Sequence, residues 1–165
     1  MESKYPRLVI HQQRALAILR IFLGLYFLYA VSGKLSPGFV ADFPKTITQM
    51  LATNPPAAYV AFLKDVVIPN AGTFAYMVIL GELTTGILLV LGLFTAPACI
   101  LGIFLNVNFL FAAGQMGMAT NLTFIAVQIA LGLGYAGTTW GLDGRIMEKM
   151  PWWFTGFLHY EYREF

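Results

Sequence analysis

AYMVILGELTTGILLVLGLF, residues 75–94, is apolar enough to cross a bilayer, yet it carries a carboxylate, Glu82, near its middle. A hydrocarbon core of about 30 Å demands about 20 helical residues. Other segments meet the same demand, and the expected spans are 15–33, 73–94, 96–114 and 120–139. Composition agrees, with 58% hydrophobic and 11% charged residues, against about 25% charged in soluble domains. Mean hydropathy is +0.70. Inside hydrocarbon the backbone must satisfy its own polar groups, and helices do so within one segment. Only a few residues separate span two from span three, and span three from span four, so these neighbours form antiparallel hairpins. The 165 residues therefore make one all-α integral membrane domain, a four-helix bundle.

Orientation follows from Lys and Arg. With four spans both tails share a side, which holds Lys4, Arg7, Arg14, Arg145, Lys149 and Arg163, whereas Lys34, Lys45 and Lys64 lie in or beside the long first loop. That asymmetry puts both termini in the cytoplasm. The N-terminal run has no small-residue cleavage site and reads as an uncleaved first span. The first loop, 36–72, carries apolar residues at helical spacing in 39–53 and 56–70, interrupted by Pro44, Pro55, Pro56 and Pro69. Short amphipathic helices on or just under the outer surface suit this pattern. Packing on the bundle is their simpler role, and a moving lid the sharper one. The stretch 140–165 mixes Trp140, Trp152, Trp153, Tyr160 and Tyr162 with charge. Such aromatics settle at headgroup level, giving an interfacial tail or a partner-docking surface.

Polar side chains cluster at one depth. Glu82 lies about 14 Å from the outer edge of span two at 1.5 Å per residue. Asn106 and Asn108 of span three and Gln128 of span four fall near the same level. Arg20 and Lys34 share one stripe of span one with Gly24, Phe27 and Val31, and a stripe ending in two cations should face the bundle. An ionised group at mid-membrane costs about 2.5–3.5 kcal/mol, so Glu82 must pair, neutralise or meet water. Arg20 is nearer in depth, but helical side chains lean toward their own N-terminus, which slightly favours Lys34. The polar layer is either a ligand site for a polar head such as a quinone ring, or a hydrogen-bonded girdle between helices. Ala98, Gly102 and Asn106 on span three, with Gly81 and Thr85 on span two, are small-residue ridges for close packing.

Several chemistries find no support. A single cysteine, Cys99, cannot form a disulfide or a redox pair within the chain. Neither His11 nor His159 lies in a span, so two-imidazole haem ligation is not expected, and no metal-ligand spacing occurs. No intrinsic cofactor is expected. The formal net charge of +2 without a basic run gives no footprint for nucleic acid. GLGYAG in span four lacks the strand-to-helix context of a dinucleotide fingerprint.

Three motifs in order, RIFLGLYFLYAVSGKL (20–35), GELTTGILLVLGLFTAPA (81–98) and WGLDGRI (140–146) with Asp143, resemble the bacterial DoxX family. The resemblance implies a small four-helix protein of the bacterial cytoplasmic membrane. A relative forms the membrane subunit of thiosulfate:quinone oxidoreductase, so it also implies a redox-complex subunit with other protein subunits as partners. It carries Glu82, Arg20 and Lys34 over as the shared polar site, with a bound quinone as the ligand. The alternative is a non-catalytic accessory subunit that anchors a larger membrane assembly.

Overall fold

The computed structural model describes residues 6–53 and 55–146, and the expected aromatic tail beyond 146 lies outside them. Every regular element among the described residues is helical: α1 (Pro6–Ser32), α2 (Pro37–Met50), α3 (Ala57–Phe62), α4 (Ala71–Leu91), α5 (Thr95–Leu133) and α6 (Asp143–Ile146). The protein is an all-α membrane bundle. Ile10–Ser32 of α1, α4 with the helical stretch before it, and Thr95–Ala112 of α5 are long and apolar enough to span. Their outward faces are apolar too, with Tyr29, Leu80 and Ile100 largely exposed, as lipid-facing helices require.

α5 contains both of the last two expected spans. Helical structure runs from Thr95 to Leu133, yet Asn106 hydrogen-bonds Gln128 at 3.4 Å. In a straight helix those residues would stand about 33 Å apart. The chain therefore doubles back between two arms, Thr95–Ala112 and Gly117–Leu133. Gly102 lies against the Gln128 side chain, and Gly132 faces Cys99. The expected hairpin exists, but its second arm ends at Leu133 instead of 139. Beyond Gly134 the carbonyls of Ala136, Thr139 and Trp140 turn inward to Arg20 instead of continuing a helix.

The other boundaries shift as well. α1 is already helical at Pro6, the first described residue, well before residue 15. α4 stops at Leu91, where Gly92 adopts φ 60°, a left-handed conformation that glycine takes without penalty. α1 and α4 run antiparallel and close. A Cβ on Gly24 would stand 2.7 Å from the Val90 backbone nitrogen and 2.9 Å from the Gly86 carbonyl oxygen.

The long first loop is structured. α3 does not extend α4: the Phe62 and Phe74 rings are 6.1 Å apart, whereas the intervening residues in one helix would separate them by about 18 Å. A π-helical turn (Leu63–Val67) and a short turn holding Pro69 fold α3 back beside α4. Phe43 and Ile47 of α2 join Leu63, Val67, Ala71 and Ala75 in an apolar core. These helices thus pack into the bundle's loop end, the end opposite the two tails.

Filling the α1–α4 contact tests this register. Gly24→Val forces a branched side chain onto α4 backbone and should cost about 1–3 kcal/mol. Reversible unfolding in detergent micelles measures it, and an unchanged midpoint contradicts the close approach.

Candidate functional site

The antiparallel register of α1 and α4 sorts the polar residues by depth. Gly24 opposes Gly86 and Val90, so Lys34, ten residues further along α1, reaches back toward the level of Glu82. Its Nζ donates to both Glu82 carboxylate oxygens, at 2.6 and 2.8 Å, and to the Ala30 carbonyl at 3.3 Å. The Glu82 side chain is 3% exposed, and that of Lys34 25%. Lys34 is thus the partner of Glu82. At mid-membrane the pair offsets a desolvation cost that neither charge could bear alone.

Lys34 also forms part of a cavity wall. The cavity, about 300 Å³, lies in the loop-end half among α2, α3, α4 and the first arm of α5. Its walls are apolar and aromatic, including Phe39, Phe43 and Phe109, with the ammonium 5.9 Å from the Phe109 ring centre. Asn108 lines it too: its amide donates to the Phe104 carbonyl at 2.8 Å, and the Tyr59 hydroxyl donates to its backbone carbonyl at 3.1 Å. Tyr59 thereby fastens α3 to the first arm of α5. An apolar pocket with a few convergent polar groups is the usual form of a small-molecule site.

The remaining residues of the expected polar layer make their hydrogen bonds elsewhere. Asn106 and Gln128 join the two arms of α5, with the Asn106 amide also donating to the Gly102 carbonyl at 2.9 Å. No hydrogen bond links this pair to Glu82 among the described residues. Its position between packed helices is that of a cross-link.

Arg20 is level with the last turn of α4, not with Glu82, and is 0% exposed. Its guanidinium donates to the carbonyls of Leu89 and Val90 on α4, and to those of Ala136, Thr139 and Trp140 beyond α5. A cation here satisfies terminal carbonyls and meets the negative ends of two helix dipoles. Arg20 faces the bundle, as its stripe on α1 implies, but spacing along one helix does not give register against its neighbour.

Asp143 is the functional-looking carboxylate that residue-level reading missed. Its Oδ1 and Oδ2 accept from the backbone N–H groups of Phe94 and Thr95, at 2.6 and 3.0 Å. It caps α5, favourably placed at the positive end of the dipole. Phe94 has φ 49°, a left-handed conformation that costs a non-glycine residue about 1–2 kcal/mol, and the carboxylate holds it there. The Asp143 and Leu142 N–H groups donate to the carbonyls of Gly92 and Leu91. The WGLDGRI stretch is thus a latch closing the tail end, and the available signal was an acidic residue directly after the last span. Among the described residues no group of three His, Cys, Asp or Glu side chains could hold a metal.

Two substitution series test these roles. Lys34→Met strands a buried carboxyl and should destabilise by about 3–5 kcal/mol, while the double variant Lys34→Met/Glu82→Leu should regain most of it. A double-mutant cycle of unfolding midpoints reads the coupling, and additive effects contradict the pair. Asp143→Ala should cost about 1–2 kcal/mol through loss of the cap, measured in the same way.

The match to known sequences covers much of this architecture. The DoxX family model matches residues 15–115, a region containing Arg20, Lys34, Glu82, Asn106 and Asn108. Gln128 and the Asp143 latch lie beyond it. No curated protein and no solved structure matches the chain. With more than half of its length matched, the chain belongs to the DoxX family.

Proposed function

We propose that the protein is a DoxX-family membrane subunit of a redox complex, which holds a quinone in the loop-end cavity with the ring against Lys34. The observation that carries this reading is one geometry: a cavity of about 300 Å³ with aromatic walls and the Lys34 ammonium, held by Glu82 at hydrogen-bond distance. A quinone ring is flat and apolar on its faces and accepts hydrogen bonds at its carbonyl edges. Phe39, Phe43 and Phe109 suit the faces, and the Lys34 ammonium suits a carbonyl.

Glu82 is the positioning residue. It fixes the ammonium at the cavity wall and keeps the net charge of the site near zero, so that a neutral ligand meets a directed donor and not a free cation. The quinone supplies the redox chemistry when bound, and other subunits exchange electrons with it. The membrane is the bacterial cytoplasmic membrane with both termini inside, which puts the cavity in the outer leaflet.

Glu82→Gln tests the reading. The amide cannot hold the ammonium as a carboxylate does, and quinone affinity in nanodiscs should fall at least about tenfold. Unchanged quinone binding and unchanged activity of the assembled complex would contradict the proposal. They would leave an accessory subunit, tied together by its polar contacts, as the better description.

A further inference from the structure

The cavity has a mouth on the outer surface of the bundle. Many of the side chains around it are buried or half-buried, but Phe62 of α3, Met77 of α4 and Phe104 of α5 are 36%, 55% and 61% exposed. A side chain that both lines a cavity and faces its surroundings stands at the opening. Met77 lies six residues along α4 from Ala71, and Phe104 eight residues before the end of the first arm at Ala112. At 1.5 Å per residue the opening sits about 9–12 Å inside the loop end of these helices. Half of a hydrocarbon core is about 15 Å, so this depth is occupied by acyl chains and not by water.

The geometry points to a ligand that arrives sideways from the membrane: an isoprenoid quinone whose ring passes between Met77 and Phe104, beneath Phe62, and whose tail stays in that gap. This rests on the quinone reading above and adds the route and the need for a tail. Volume supports it. Small-molecule sites run about 300–1,000 Å³, and this cavity, at about 300 Å³, holds a substituted ring with little room for a long chain. The tail therefore remains in the opening, among apolar side chains and lipid.

Chemistry at the inner wall fits the same pose. An ammonium has three donors. Two of those of Lys34 go to Glu82 at 2.6 and 2.8 Å, and its contact with the Ala30 carbonyl is the longest at 3.3 Å. The Ala30 bond is the one to yield, leaving a donor for a ring carbonyl while the ion pair stays intact.

The test uses the full chain in phosphatidylcholine nanodiscs and a ubiquinone analogue with a diazirine on its tail. Photolysis followed by peptide mass spectrometry locates the tail, and unlabelled ubiquinone provides the competition control. The expected result is competable labelling around Met77 and Phe104. Met77→Trp, which narrows the opening, should lower labelling at least about tenfold. Tyr29→Trp, at a lipid-facing position 79% exposed on α1, should leave it unchanged. Competable labelling confined to α2, with Met77→Trp silent, overturns the sideways route and leaves the quinone site standing. Absence of any competable labelling overturns both. Melting followed by circular dichroism confirms that the lipid-facing variants fold.

Discussion

A charge in hydrocarbon has to be neutralised where it stands, and this bundle meets that demand twice in different ways. In the loop-end half, Glu82 and Lys34 form a bidentate ion pair between α4 and α1. At the tail end, Arg20 is dispersed over carbonyls from α4 and from the segment after α5. Both solutions depend on the contact of Gly24 with α4, which sets the register of the two helices. A shift by one residue would turn Glu82 away from Lys34 and Arg20 away from the last turn of α4 at once. Few residues therefore hold the polar side chains of this membrane core in place.

The two ends of the bundle differ in consequence. At the tail end, Arg20 neutralises helix C-termini, Asp143 neutralises the start of α5, and backbone hydrogen bonds from Leu142 and Asp143 close the gap to α4. This half is cross-linked by polar contacts with defined partners. The loop-end half is held by apolar packing of α2 and the π-helical turn, with Tyr59 and Thr53 hydrogen-bonding carbonyls of α5. Apolar packing is less directional and tolerates a cavity, and the cavity lies in this half. One end is thus suited to rigid alignment of the helices and the other to accommodating a guest molecule.

Much of this was legible in the sequence. The apolar runs gave the spanning segments, and the short connections gave the hairpin, because length and hydropathy decide both. The polar side chains on each helix were legible as well. What the sequence could not supply was depth between helices: Arg20, Glu82, Asn106 and Gln128 looked like one layer, whereas the Gly24–Gly86 contact sets Arg20 level with Val90. The cavity was hidden for a similar reason. Phe39, Phe43 and Tyr59 read as ordinary faces of amphipathic loop helices, and only the fold-back of α3 brings them over α4 and α5. Asp143 was visible as part of a motif, but its task depends on a turn at Phe94 that propensity does not predict.

The central claim is that the loop-end cavity holds a quinone whose ring meets Lys34. Native mass spectrometry of the protein, extracted gently from its own host membrane, tests it most directly. The account predicts one quinone mass per chain, lost in a folded Lys34→Met/Glu82→Leu variant. A chain that carries no quinone, or that keeps it equally in that variant, would contradict the account.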